Sequence, residues 1–217
     1  MSKKIVLEQK VQQKGHEISG ELKKLFKEKG IFVVNIIGSP GSGKTSLLEA
    51  IAPKLKDIAA VIEGDLETDE DKERIEKAGY PSYQINTKSA CRLDAGMVKN
   101  AIENFSIDGV KLLFIENVGN LVCPSGIQIG EDIKISVISV TEGADKPAKY
   151  PVAIKASTAL VITKTDLLPY INCDADRMEK DSLKTNPDIK IFRTSINSGE
   201  GMDEFIEWLN EKMTCTN

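Results

Sequence analysis

Apolar residues recur along the chain with two periods, and the changes between them outline the predicted elements. Short apolar, β-branched runs are typical of strands buried on both faces, and apolar residues spaced three or four apart are typical of helices. Strands are predicted at 31–37, 58–63, 82–85, 111–115, 133–140, 158–162 and 189–193. Helices are predicted at 46–51, 69–78, 91–104, 174–185 and 201–212. This alternation predicts an α/β fold with a mostly parallel sheet sandwiched between helices.

Residues 1–30 have a different pattern. They are highly charged, and their apolar residues have mostly helical spacing, interrupted by Gly15 and Gly20. This pattern predicts an amphipathic N-terminal helical segment, made of one helix or two. No linker-like composition separates it from residues 31–217, so a single domain is expected overall.

The loop after the first predicted strand carries a phosphate-binding motif. Residues 38–45 match the spacing G-x-x-x-x-G-K-[ST] between a strand and a helix. Lys44 is expected to reach the β and γ phosphates, and the Thr45 hydroxyl to hold Mg²⁺. The predicted nucleotide contacts here are Gly38, Ser39, Pro40, Gly41, Ser42, Gly43, Lys44, Thr45 and Ser46. The motif predicts a P-loop NTPase; the alternative is a glycine-rich turn that binds nothing.

A second motif bears on which base is bound. The strand at 158–162 runs into Thr163-Lys164-Thr165-Asp166, where GTPases have an N-K-x-D tetrad. The Asp166 carboxylate can accept two N–H groups that guanine has and adenine lacks, and the Lys164 stem can lie against the base. Because Thr163 replaces the usual Asn, an amide that braces the loops is missing.

A third segment supports the same assignment. Ser195, Ile196 and Asn197 follow the last predicted strand and resemble the S-A-K loop whose backbone N–H meets guanine O6. Together with Lys164 and Asp166 they form the predicted guanine site. The alternative for the tetrad is a polar turn between a strand and a helix.

Two acids at strand ends are expected beside the phosphate loop. Asp65 can hold Mg²⁺ directly or through water, and most of the other charges in the acidic run 63–76 are expected to form a solvated helix face. Glu116 takes the Walker-B place, and the N–H of Gly119 can sense the γ-phosphate. No glutamine follows Gly119 to orient water, so slow hydrolysis is predicted. The predicted catalytic residues are Lys44, Asp65, Glu116 and Gly119, and the predicted Mg²⁺ ligands are Thr45, Asp65 and Glu116.

Composition excludes several classes of partner. The chain has 29 basic and 33 acidic residues, a net charge of −4, which argues against nucleic acid. No apolar run reaches the ~20 residues needed to cross a bilayer, and the N-terminus turns polar too soon for a secretory signal. A cytoplasmic protein without a membrane partner is expected. In that reducing compartment its four cysteines are expected to be thiols or metal ligands rather than disulfides.

Four further segments occur in a fixed order. They are Ile62–Asp65, Cys91–Ala95, Phe114–Pro124 and Thr141–Gly143. With the phosphate loop they resemble the HypB family, the nickel-insertion GTPases of the SIMIBI class of P-loop proteins that mature [NiFe] hydrogenases. The likeness extends from residue 31 to 212. It implies the family's fold, GTP dependence, and a homodimer in the GTP-bound state.

The resemblance also implies a metal site at the dimer interface. The family uses a Cys-His pair and a second cysteine, and the matching positions here are Cys91, Arg92 and Cys123. Arg92 replaces the histidine, and a guanidinium does not ligate metals. Two protomers could still supply four sulfurs, suited to zinc or nickel. The alternative is that both cysteines are small buried hydrophobes. Lys149 matches a lysine that reaches the partner's nucleotide.

These features predict a GTP-hydrolysing metallochaperone that delivers nickel to a nickel enzyme, with [NiFe] hydrogenase as the first candidate. Its expected partners are other maturation proteins and the client enzyme. Two alternatives stay open: a maturation GTPase for urease or nickel CO dehydrogenase, and a regulatory GTP switch without metal. His16, Cys173 and Cys215 are expected to be surface or structural residues.

Overall fold

The structure is a computed structural model that describes residues 3–65 and 70–216, and its strands form one sheet. The strands are β1 Phe32–Gly38, β2 Ala59–Asp65, β3 Ser82–Asn86, β4 Leu112–Glu116, β5 Ile133–Ser139, β6 Ala159–Thr163 and β7 Lys190–Arg193. Their order is β3-β2-β4-β1-β5-β6-β7, and every neighbouring pair is parallel. The prediction of a mostly parallel sheet is confirmed.

Helices connect the strands. They are α1 Lys3–Lys29, α2 Lys44–Leu55, α3 Glu70–Lys77, α4 Ala95–Asn104, α5 Lys146–Lys149, α6 Pro151–Ala156, α7 Ala175–Thr185 and α8 Met202–Thr216. The predicted helix at 91–104 begins four residues late, because the Asp94 carboxylate caps α4 by accepting from the Met97 N–H. The sequence pattern does not predict the short helices α5 and α6. No helix in the described ranges is long and apolar enough to cross a membrane.

The N-terminal segment is one helix, not two. Gly15 and Gly20 do not interrupt α1, because packing of Leu22 and Phe26 outweighs the conformational cost of the two glycines. The helix ends in a Schellman motif: Gly30 has φ +67°, and the Gly30 and Ile31 N–H groups donate to the Lys27 and Phe26 carbonyls. This turn leads the chain directly into β1.

The two faces of the sheet bury separate apolar clusters. One face packs α2 and α8 against the sheet around Leu48, Phe114 and Phe205. On the other face, Leu22 and Phe26 of α1 are buried against α4 and the sheet. The second half of α1 is therefore part of the core.

Because Phe26 is 1% exposed, Phe26→Ala should lower the free energy of unfolding by about 3–5 kcal/mol. Lys27→Ala changes the exposed neighbouring residue and should have little effect. Urea denaturation followed by circular dichroism measures both variants. Equal stability of the two would show that α1 does not pack on the sheet in solution.

Candidate functional site

A cavity of about 430 Å³ opens at the carboxyl ends of β1, β2 and β4. The sheet order brings these three ends together, because β4 lies between β1 and β2. Its lining includes the predicted residues Pro40, Gly41, Gly43, Lys44, Thr45, Ser46, Asp65, Glu116, Gly119 and Lys164. Residues from four separate parts of the sequence thus meet at one site.

The phosphate loop is arranged for an anion. α2 begins at Lys44, and Gly43 before it provides no side-chain cap, so the first N–H groups of the helix are left for a ligand. Gly119 closes the opposite side of the cavity. A β-carbon at that position would lie 2.9 Å from Pro40 Cγ, so the backbone of Gly119 can approach the loop only without a side chain.

The Glu116 carboxylate lies at the base of the cavity. Thr45 Oγ1 donates to Glu116 Oε1 at 2.8 Å, and Lys44 Nζ lies 3.9 Å from the same oxygen. Burial raises the Glu116 pKa to about 7, against the lowering effects of Lys44 and the Thr45 hydrogen bond. Glu116 Oε2 is buried without a hydrogen-bond partner among the described residues. This hydroxyl and carboxylate are oxygen donors of the kind that Mg²⁺ prefers, so the residues fit the ion.

Three charged residues that the sequence pattern does not single out also line the cavity: Glu63, Asp71 and Arg74. Arg74 donates to Ser46 Oγ, Glu49 and Asp71. Glu63 precedes Asp65 by two residues in β2, and strand periodicity places both on the same face. Glu63 is an exception to the prediction that most charges of the run 63–76 form a solvated helix face, because it lies on β2 and is only 2% exposed.

The predicted guanine residues form a second group. Ser195 Oγ and Asn197 Nδ2 donate to the two Asp166 oxygens at 2.7 and 2.8 Å. The Asn197 hydrogen bond, followed by that of Ser195, lowers the Asp166 pKa, so the carboxylate is ionised and held in one orientation. Ile196 is exposed beside them. Asp166 is thus presented as an acceptor.

Two contacts join this group to the phosphate loop. Lys164, with φ 60°, donates from Nζ to the Gly41 carbonyl at 2.8 Å. Thr163 Oγ1 donates to the Ser42 carbonyl at 2.6 Å. The Thr163 hydroxyl therefore braces the loops although the amide of the usual Asn is missing.

Cys91 and Cys123 are neighbours in one protomer. Cys91 is exposed and Cys123 is half-buried. A hydrogen bond with Cys91 and then burial raise the Cys123 pKa, while the Arg92 charge and the Asn120 amide oppose that rise. Among the described residues, no three His, Cys, Asp or Glu side chains form a group that could hold a metal. One protomer thus offers two neighbouring thiols, without a third ligand of these types among the described residues.

The buried amide of Asn117 links the cavity to the Cys91 segment. Asn117 Oδ1 accepts the N–H groups of Leu93 and Val118 at 2.9 and 3.1 Å, and its Nδ2 donates to Asn35 Oδ1 at 3.3 Å. Leu93 also packs on the end of β2, where a β-carbon on Gly64 would lie 2.7 Å from Leu93 Cγ. The segment that carries Cys91 is therefore in contact with two strands of the nucleotide cavity.

Asn120 makes the corresponding link to Cys123. Its Oδ1 accepts the N–H groups of Val122 and Cys123 at 2.7 and 3.2 Å, and its Nδ2 lies 3.4 Å from Cys123 Sγ. The backbone of Asn120 pairs with Gly38, the first residue of the phosphate loop. A shift of the loop after β4 would therefore move this cysteine.

The remaining predicted residues lie elsewhere. Lys149 on α5 is exposed and pairs with Asp145 at 2.6 Å, outside the cavity of its own chain. His16 and Cys215 are exposed, and Cys173 packs near Met178. None of these three belongs to the nucleotide cavity.

Comparison with known proteins agrees with this geometry. Residues 32–193 match the family model "CobW/HypB/UreG, nucleotide-binding domain". The "Hydrogenase maturation factor HypB" of Azotobacter chroococcum is 44% identical over 97% of this chain and 70% of its own length. The "Hydrogenase/urease maturation factor HypB" of Helicobacter pylori is 37% identical over 98% of this chain and 90% of its own.

A solved structure shows the same fold. The crystal structure of HypB from Helicobacter pylori in complex with nickel superposes with a TM-score of 0.88 at 36% identity, covering 93% of this chain and 95% of that one. The family match, the sequence relatives and the shared fold lead to one assignment. The chain belongs to the HypB branch of the CobW/HypB/UreG family of nucleotide-binding proteins.

Proposed function

We propose that this protein is a GTP-hydrolysing metallochaperone that delivers nickel during maturation of a nickel enzyme, with [NiFe] hydrogenase as the client. One observation carries this reading: Asn117 and Asn120 join the nucleotide cavity to the segments of Cys91 and Cys123 by direct hydrogen bonds. Relatives named as hydrogenase maturation factors, one of them solved with nickel, support the same client and metal.

Hydrolysis depends on charges that the chain holds in place. Lys44 meets the negative charge that develops on the transferring phosphoryl group, and the N–H groups that begin α2 bind the phosphate oxygens. Thr45, Asp65 and Glu116 are the residues that would hold Mg²⁺, which supplies further positive charge at the phosphates when bound. Asn120, not a glutamine, follows Gly119, so turnover is slow.

Guanine is selected by the Asp166 carboxylate. Ser195 and Asn197 fix its orientation, and its lowered pKa keeps it an acceptor for two N–H groups of the base. Lys164 donates to the Gly41 carbonyl of the phosphate loop, and its stem would lie against one face of the base.

The metal site is completed by a second protomer. Cys91 and Cys123 offer two thiols, and a two-fold dimer doubles them to four sulfurs, suited to nickel or zinc as cargo. The γ-phosphate distinguishes GTP from GDP, and its contacts with Gly119 and Asp65 favour the dimer when GTP is bound. Lys149, which projects from its own protomer, reaches the nucleotide of the partner.

Two observations keep the alternatives in view. The Helicobacter pylori relative is named for both hydrogenase and urease, so the client can be another nickel enzyme. Arg92 occupies the position of the family's metal-ligating histidine, so metal binding depends on the two thiols. If they do not bind nickel, the protein is a GTP switch without metal.

Lys44→Ala should reduce GTP hydrolysis by about 100-fold or more, because it removes the cation that meets the transferring phosphoryl group. Lys54→Ala, an exposed lysine on the same helix, is the matched control. Phosphate release from saturating GTP is the measurement. Hydrolysis near the wild-type rate in the Lys44 variant would remove this loop from the active site.

Asp166→Asn should weaken GTP binding by about 10- to 100-fold and favour xanthosine triphosphate, since the amide can donate where the carboxylate only accepts. Displacement of a fluorescent GDP analogue gives both affinities. The exposed Asp188→Asn change is the control. Unaltered GTP binding in the Asp166 variant would place the base elsewhere.

Nickel affinity should rise at least about tenfold in Arg92→His, because the change removes a repelling charge and adds an imidazole ligand. Cys91→Ala combined with Cys123→Ala should abolish binding. Competition with a chromogenic chelator, with a non-hydrolysable GTP analogue bound, measures all three proteins, and sedimentation of the same samples reports dimerisation.

GDP-loaded protein is the control for the nickel experiment. Equal dimer fractions with GDP and with the GTP analogue would contradict the gated dimer. Unchanged nickel binding after loss of both cysteines would favour the metal-free switch.

A further inference from the structure

Glu63 is a buried acid without an assigned task in the nucleotide cavity. Its side chain is 2% exposed, and Oε2 has no hydrogen-bond partner in the described part of the chain. A buried ionisable group costs free energy unless something pairs with it. The cavity that Glu63 lines is therefore the place to look for its partner.

The neighbours of Glu63 add negative charge. Glu63 on β2 is the register partner of Glu116 on β4, so two carboxyl groups lie side by side on adjacent strands. Asp65 and Asp71 line the same cavity. Against them, Lys44 lies 3.9 Å from Glu116 and is the cation that meets the phosphates.

The other cations at the cavity are already occupied. Arg74 is bound by Glu49 and Asp71, and Lys164 donates to the Gly41 carbonyl. A triphosphate entering this cavity brings more negative charge toward Glu63. The arrangement becomes favourable when a divalent cation enters with the nucleotide.

We propose that Glu63 is a positioning residue for Mg²⁺, whose carboxylate accepts hydrogen bonds from water molecules on the ion. Contact through water leaves the direct positions on the ion to Thr45, Asp65 and Glu116, the residues that would hold it. Mg²⁺ also keeps several of its waters in proteins. Thr45 and Glu116 are among the residues that would hold the ion, and Glu63 lies beside Glu116 on the neighbouring strand.

Glu63 thereby makes the site depend on the ion. Two buried carboxyl groups side by side are unfavourable as a pair of anions, and a hydrated Mg²⁺ beside them offsets that cost. Because this role rests on the proposed nucleotide site, GDP is the ligand used to test it, and GTP hydrolysis is scored separately.

The experiment compares Glu63→Gln with wild type and with Glu76→Gln, an exposed acid on α3 that gives the same change in net charge. Dissociation of a fluorescent GDP analogue is timed across a range of Mg²⁺ concentrations. The Mg²⁺ concentration that slows GDP dissociation half-maximally should rise about tenfold in Glu63→Gln and stay unchanged in Glu76→Gln. A tenfold change is expected because one hydrogen bond to a charged group is lost. GDP affinity without Mg²⁺ should stay equal or increase.

A second readout does not use nucleotide release. Electron paramagnetic resonance of free Mn²⁺ should show weaker uptake of the ion by the GDP complex of Glu63→Gln. Glu63→Asp keeps the carboxylate but moves it away from the cavity by one methylene. It should shift both readouts in the same direction as Glu63→Gln, by a smaller amount. It takes the place of the amide variant if that protein does not fold.

The outcomes separate this role from the proposed function. If wild-type protein binds no guanine nucleotide, the proposed function is wrong. If it binds GDP with a clear Mg²⁺ dependence that Glu63→Gln leaves unchanged, only the role of Glu63 is wrong. A loss of hydrolysis with unchanged Mg²⁺ dependence would likewise overturn it, in favour of a residue that orients the attacking water.

Discussion

Parallel pairing of β4 between β1 and β2 is the constraint on which the rest of this structure depends. It brings the phosphate loop after β1, the acid that ends β4 and the acids that end β2 to a single edge. In an open parallel sheet, ligands bind at this edge because the carboxyl ends of the strands and the N-termini of the helices meet there. Apolar residues cover both faces of the sheet, which leaves the edge as the place for polar chemistry.

The same edge of the sheet holds the cavity and the loop that contacts the segments of Cys91 and Cys123. Asn117 and Asn120 lie in the few residues after β4, and each bonds both toward the nucleotide side and toward a cysteine segment. Their amides are well suited to this position, because one side chain can donate and accept at once. The loop after β4 therefore contacts both the cavity and the segments of Cys91 and Cys123, so a shift on one side would be transmitted to the other.

Local sequence predicts much of this. The predicted strands agree with the observed ones to within about two residues, because continuous β-branched runs have few other stable uses. The spacing of its glycines and lysine predicts the phosphate loop. The resemblance of the surrounding segments to the HypB family predicts Cys91 and Cys123 as site residues. Errors arise where local signals compete: α5 and α6 are short and contain prolines, and the glycines of α1 suggest a break that packing of Leu22 and Phe26 outweighs.

The sequence by itself determined the α/β class, the phosphate loop, and the family to which the chain belongs, since each depends on residues close together in the chain. Only the tertiary structure decided that Glu63 faces Glu116, that Thr163 braces the phosphate loop, and that Cys91 meets Cys123. These contacts join residues far apart in sequence, and strand order and register fix them. Periodicity predicts which face a side chain occupies, but it does not predict which strand lies beside it.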